Sequence, residues 1–124
     1  MAIPAKLQNE LRQFQRLQQD LTTLSQQRLQ MDLKLRETTH TLEEIRTVPE
    51  DAPIYRPIGS LLVRAKGRKE VEDLLTEEKE TLEVRVKALE RQENHLKERF
   101  TTMQKELSDA LQAAGVSPGG APSP

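Results

Sequence analysis

Cysteine is absent from the 124 residues. A disulfide framework, a thiol nucleophile and thiolate metal sites are therefore excluded. Aromatic residues number only three, Phe14, Tyr55 and Phe100. Hydrophobic residues make up 35% of the chain, against roughly 45–50% in ordinary globular domains. That is too little bulky apolar material for a compact two-layer core of normal size. No run approaches ~18 consecutive apolar residues, so no membrane span is expected. The opening Met1-Ala2-Ile3-Pro4-Ala5-Lys6 has no apolar core of a secretory signal, which makes a cytoplasmic protein the default expectation. Neither sign of charge dominates. Nineteen Lys and Arg stand against 20 Asp and Glu, a net charge of −1. Nothing global draws such a chain to nucleic acid or to an anionic membrane.

Helix breakers are also missing from two long stretches. Every proline and glycine falls outside residues 5–48 and 68–114. Both blocks are rich in Leu, Gln, Glu, Lys and Arg, the strong helix formers. At 1.5 Å per residue each predicts a helix of roughly 65–70 Å. Alternating steps of three and four pick out a stripe in the first block: Leu7, Glu10, Phe14, Leu17, Leu21, Leu24, Arg28, Met31, Leu35, Thr38, Leu42 and Ile45. The second block gives Leu75, Lys79, Leu82, Val86, Leu89, Glu93, Leu96, Phe100, Met103, Leu107 and Ala110. So narrow an apolar seam is a coiled-coil signature, because a helix lying on a globular core needs a wider stripe. Two blocks of near-equal length joined by a turn predict an intrachain antiparallel pair. Polar seam residues (Arg28, Thr38, Lys79, Glu93) cost stability and can fix register. Asp32/Arg36, Glu83/Lys87 and Glu93/Lys97 have the favourable acidic-before-basic i,i+4 order. Pro4 suits the first turn of helix 1, and Val48-Pro49 ends it. Gly67 can cap helix 2, and Gly115 can stop it. The tail, residues 115–124, is low in complexity and is expected to be disordered.

The connector, residues 49–67, is long for a helical hairpin, and it is not polar filler. Ile54-Tyr55-Arg56-Pro57-Ile58 and Leu61-Leu62-Val63-Arg64-Ala65 are strand-like runs, and Gly59-Ser60 between them is a two-residue turn signal. Pro57 limits which neighbour the first strand can take. An isolated two-stranded ribbon is marginal in water, and its open apolar edges invite pairing with other chains. The residues expected to carry assembly are Ile54, Tyr55, Ile58, Gly59, Leu61, Leu62 and Val63.

This arrangement resembles a β-type prefoldin subunit: a long helix, the Ile54-Tyr55-Arg56-Pro57-Ile58-Gly59-Ser60-Leu61-Leu62-Val63 hairpin, and a second long helix. The resemblance covers roughly residues 5–112. The heptads alone are unspecific; the hairpin motif midway between equal helices carries the likeness. The resemblance implies a mainly α fold, a long antiparallel coiled-coil helical hairpin whose one central β-hairpin joins an intersubunit β-barrel. It also implies a hetero-hexamer of two α-type and four β-type subunits. The function implied is an ATP-independent chaperone that captures unfolded client proteins at the coiled-coil tips and hands them to a group II chaperonin. The free end of the helix pair carries the candidate client-binding residues Leu7, Leu11, Phe14, Leu107 and Leu111, with Leu17, Met103 and Val116 nearby. Frayed apolar groups there would gain about 25 cal/mol per Å² buried against a client. The alternative is a coiled-coil scaffold or tether without client holding.

Other chemistry finds little support. His40 and His95 have no partner at metal-ligand spacing, and no cofactor is expected. Glu43-Glu44 and Glu77-Glu78 lie on polar faces with no cleft to shift a pKa. There is no phosphate loop, dinucleotide fingerprint or nucleophile motif, so no enzyme activity is expected. Arg64, Lys66, Arg68 and Lys69 form a basic run best read as the solvated edge of the assembly platform. Tyr55 alone is too little aromatic surface for base stacking.

Overall fold

The computed structural model describes residues 3–115. Four elements follow in order: α1 (Ala5–Ile45), β1 (Tyr55–Ile58), β2 (Leu61–Arg64) and α2 (Arg68–Ala113). The chain divides into two compact units. Among the described residues, the terminal unit takes the start of α1 and the end of α2, up to residue 27 and from residue 89; the ribbon unit takes residues 28–88. No helix among the described residues is long and apolar enough to cross a membrane.

The seam is where the spacing puts it. All twelve stripe positions of α1 and all eleven of α2 are buried or half-buried. In the terminal unit Leu7, Leu17 and Leu107 are buried, and the Phe14 and Phe100 rings stack with centroids 4.8 Å apart. Phe14 opposite Phe100, and residues 4–10 beside 110–114, make the two helices antiparallel there. Leu42, Val71, Leu82 and Val86 fill the same role in the ribbon unit. Two polar seam residues, Thr38 and Glu93, are buried with them. A buried carboxylate needs a partner, and Glu93 holds Lys97 at 2.9 Å.

The helix ends follow local chemistry. Pro4 lies one position before the first turn: its carbonyl accepts from Gln8 N–H, and the helix starts at Ala5. α1 ends at Ile45, three residues short of the expected boundary. Thr47 N–H and Val48 N–H donate to carbonyls three residues back, which tightens the last turn, and Thr47 Oγ1 adds a bond to the Glu44 carbonyl. Pro49 keeps Val48 out of a continuing helix. Gly67 caps α2 through Val71 N–H, while Glu70 reaches back to accept from Lys66 N–H at 2.6 Å, a close variant of the capping box. Gly115, at φ +77, ends α2 in the left-handed region open to glycine. Two expected ion pairs have other partners. Asp32 is held by Arg28 at 2.7 Å, one turn earlier, and Glu83 lies 3.9 Å from Lys79.

Candidate functional site

The ribbon is built on the Gly59-Ser60 turn. Ile58 faces Leu61, and the register continues as Pro57 to Leu62, Arg56 to Val63 and Tyr55 to Arg64. Gly59 has φ +59 and Ser60 is not in the positive-φ region. That sign pattern belongs to a type II′ turn, whose twist matches paired strands. The pairing extends one step further, with Ala65 N–H donating to the Ile54 carbonyl at 2.8 Å.

Side chains alternate across the ribbon. One face carries Arg56, Ile58, Leu61 and Val63; the other carries Tyr55, Pro57, Leu62 and Arg64. Neither is covered by the described residues. Leu62 is 73% exposed and Leu61 68%, and Tyr55, Ile58 and Val63 are exposed as well. Of the expected assembly residues only Ile54 is half-buried. Scattered surface leucines are ordinary, but here five exposed apolar or aromatic side chains crowd one short ribbon.

The base of the ribbon is held by a residue that sequence reasoning placed in solvent. Arg68 Nη1 donates to the Val48 carbonyl at 2.7 Å. Its Nε pairs with Glu72 at 2.9 Å, and its Nη2 lies 3.3 Å from Glu50. One guanidinium thus ties the chain leaving α1 to the chain entering α2, twenty residues on. Nothing in the spacing of the basic run singles out Arg68. Only the return of the connector brings Val48 within reach.

The expected client-binding residues sit together in the terminal unit, unequally exposed. Leu7 and Leu107 are buried, at 7% and 4% exposure. Phe14, Leu11 and Leu111 are half-buried. An open cleft of about 440 Å³ runs beside Leu7, lined by Pro4, Lys6, Glu10, Ala110, Ala113 and Ala114. The small alanines leave this groove unfilled. Val116 and the rest of the tail, residues 116–124, lie outside the described residues. A second open cleft, of about 420 Å³, has His95 with Asp20, Gln27 and Gln92 on its walls. His40 stands on the surface, 3.7 Å from Glu44.

A central ribbon between two long helices is a specific architecture, and known proteins share it. A family model described as prefoldin subunit matches residues 8–114. The chain belongs to the prefoldin subunit family. A prefoldin subunit beta of Archaeoglobus fulgidus is 42% identical over 109 residues, 88% of this chain and 93% of that protein. One of Thermococcus gammatolerans is 45% identical over 112 residues, 90% and 92% of the two chains. The crystal structure of the prefoldin beta subunit from Thermococcus strain KS-1 superposes with a TM-score of 0.80 at 37% identity. It covers 89% of this chain and 96% of that one. The chain is thus a prefoldin chaperone subunit, of a family whose members work in a complex with other subunits. The exposed ribbon is the feature of this prefoldin subunit that most needs such company.

Proposed function

We propose that the protein is a β-type subunit of an ATP-independent prefoldin that holds unfolded proteins in the cytoplasm and passes them to a group II chaperonin. The complex would contain two α-type and four β-type chains. The observation that carries this reading is the uncovered ribbon. Tyr55, Ile58, Leu61, Leu62 and Val63 are exposed although each is apolar or aromatic. Pooling ribbons from several chains in a shared barrel would bury these side chains and close the open edges. Each chain would then give its ribbon to the barrel and keep its terminal unit for clients.

Client capture belongs to that terminal unit. Leu11 and Leu111 are half-exposed while the helices are paired. Leu7, Phe14 and Leu107 become available as the last turns fray, since helix ends open at the least cost. Each contact is weak. Several tethered tips raise the effective concentration and make the summed hold useful. No catalysis, metal or cofactor enters this mechanism.

The test is aggregation of a denatured enzyme in the presence of the complex reconstituted with an α-type subunit, without ATP. Leu11→Ser with Leu111→Ser should lower suppression several-fold at unchanged complex mass. Leu29→Ser with Leu33→Ser, changes on an exposed face of α1, should not. Equal suppression by all variants would remove the tips from the mechanism.

A further inference from the structure

The end of α2 is wound so as to aim the chain that follows it. Gly115 lies at φ +77, and its N–H donates to the Gln112 carbonyl at 3.0 Å. These are the glycine and one of the two hydrogen bonds of a Schellman motif. In a complete motif the residue after the glycine donates its N–H to the carbonyl five positions back, and an apolar side chain there packs on the last helical turn. Here that residue is Val116, and the last turn offers Leu111 and Ala110. Ala110 also lines the open cleft of about 440 Å³ beside Leu7. Apart from Lys6 and Glu10 the lining of that cleft is apolar: Pro4, Leu7, Ala110, Ala113 and Ala114.

We propose that Val116-Ser117-Pro118 folds back into this cleft, Val116 on Ala110 and Pro118 over Leu7, and that an unfolded client must displace it. The docking follows from the helix end and the cleft; the competition rests on the reading of the terminal unit as the client-holding part. Three features of the segment suit it to the place. Residues 116–124 carry no charged side chain, which matches an apolar lining. Three extended residues reach about 10 Å, enough to cross from α2 to α1 when packed helix axes lie about 8–10 Å apart. Ser117 precedes a proline and is held extended, and Pro118 is itself stiff, so little freedom is lost on docking.

The segment is then a tethered stand-in for a client. Its own contacts are few and weak, but the tether to Gly115 keeps its effective concentration high. Leu7 is 7% exposed with the helices paired, and Pro118 adds a second cover. A client reaches Leu7 only after the segment has left. The apolar cleft stays covered while no client is present, and the cover departs without unwinding either helix.

Thiol alkylation reads the docking, because the chain has no cysteine of its own. In the full-length chain Val116→Cys should react about fivefold more slowly than Ala121→Cys, each rate taken relative to the same variant in denaturant. Adding Ala113→Gln and Ala114→Gln puts good helix formers of unchanged charge into the cleft and should bring the two rates within about twofold. Equal rates with the alanines in place, or slow reaction at position 116 that survives the filled cleft, would overturn the docking. Protection that grows with chain concentration would overturn it too, since a second copy would then be the occupant. Competition is read on the complex reconstituted with an α-type subunit. Fivefold protection means a cleft open about one-fifth of the time, and a client's apparent affinity falls by that fraction. Val116→Ser with Pro118→Ser should therefore suppress aggregation of a denatured enzyme at about one-third to one-fifth of the unsubstituted complex's concentration, at unchanged complex mass. Equal suppression would overturn the competition, and weaker suppression would make the segment a client contact and overturn it as well. If the unsubstituted complex suppresses nothing, the chaperone reading fails and the competition with it, while alkylation still decides the docking.

Discussion

Replacing Arg68 by alanine should destabilise the base of the ribbon far more than a surface arginine would. The Arg68 side chain is one-quarter exposed, as is that of its partner Glu72. A hydrogen bond from a charged donor, here to the Val48 carbonyl, contributes about 1.5–3 kcal/mol. The Glu72 pair, one helical turn away, adds about 0.3–0.5 kcal/mol. Glu50 is largely exposed and adds nothing measurable. Arg68→Ala should therefore lose about 2–3 kcal/mol. Lysine keeps a charge near Glu72 but has no planar fork to reach the carbonyl as well, so Arg68→Lys should lose about half as much. At 1 M salt, where the Debye length is about 3 Å, the Glu72 share fades and the Val48 share persists. Thermal unfolding followed by circular dichroism measures the loss, and amide exchange at the ribbon locates it. A loss under about 0.5 kcal/mol for Arg68→Ala, or a lysine variant equal to the parent, would refute the clasp.

Three further outcomes follow from the same geometry. Phe14→Ala and Phe100→Ala should each destabilise the terminal unit, and a double-mutant cycle should return a coupling of about 0.5–1.5 kcal/mol for the stacked rings; zero coupling would mean the stack contributes only as area. Gly59→Ala meets no atom within 4 Å, so its cost is purely that of holding alanine in the left-handed region, about 1–2 kcal/mol; exchange protection of the ribbon amides reads it, and an unchanged pattern counts against the type II′ turn. The unfolding temperature should rise with chain concentration, because association buries a surface the lone chain leaves wet; a temperature constant over a hundredfold range of concentration would deny that coupling.

Much of this was legible from one-dimensional regularities. A three–four spacing of apolar residues finds a helix seam because the α-helix repeats every 3.6 residues. It also located the buried Thr38 and Glu93, since position in the stripe outweighs polarity. Gly59-Ser60 fixed the turn for a similar reason: a positive φ is cheap only for glycine. What escaped are contacts made across the connector. Arg68 reads as one of four basic residues until the chain folds back and offers it the Val48 carbonyl. The partner of Asp32 was missed because the acid lies one turn from both Arg28 and Arg36, and spacing cannot choose between them. The open cleft beside Leu7 was hidden because alanines at 110, 113 and 114 look like good helix formers, not like missing volume.

The distribution of exposure explains why such a chain is a subunit by construction. Along the helices every seam position is buried or half-buried, and the exposed apolar side chains Leu29, Leu33, Leu74 and Val84 lie off the seam. The ribbon is the reverse, short and wet on both faces. Fully burying a side chain such as Leu or Val contributes about 1.5–3 kcal/mol. Tyr55, Ile58, Leu61, Leu62 and Val63 each keep roughly half or more of that unrealised. Together they hold back several kcal/mol, comparable to the whole stability of many small domains. An isolated hairpin is marginal, so a gain of that size exceeds what the ribbon needs to stay ordered. If the ribbons join as proposed above, order in the ribbon and joining of chains are one equilibrium. A residue like Arg68, which keeps the ribbon's base closed before any partner arrives, lowers the ordering cost that association must offset.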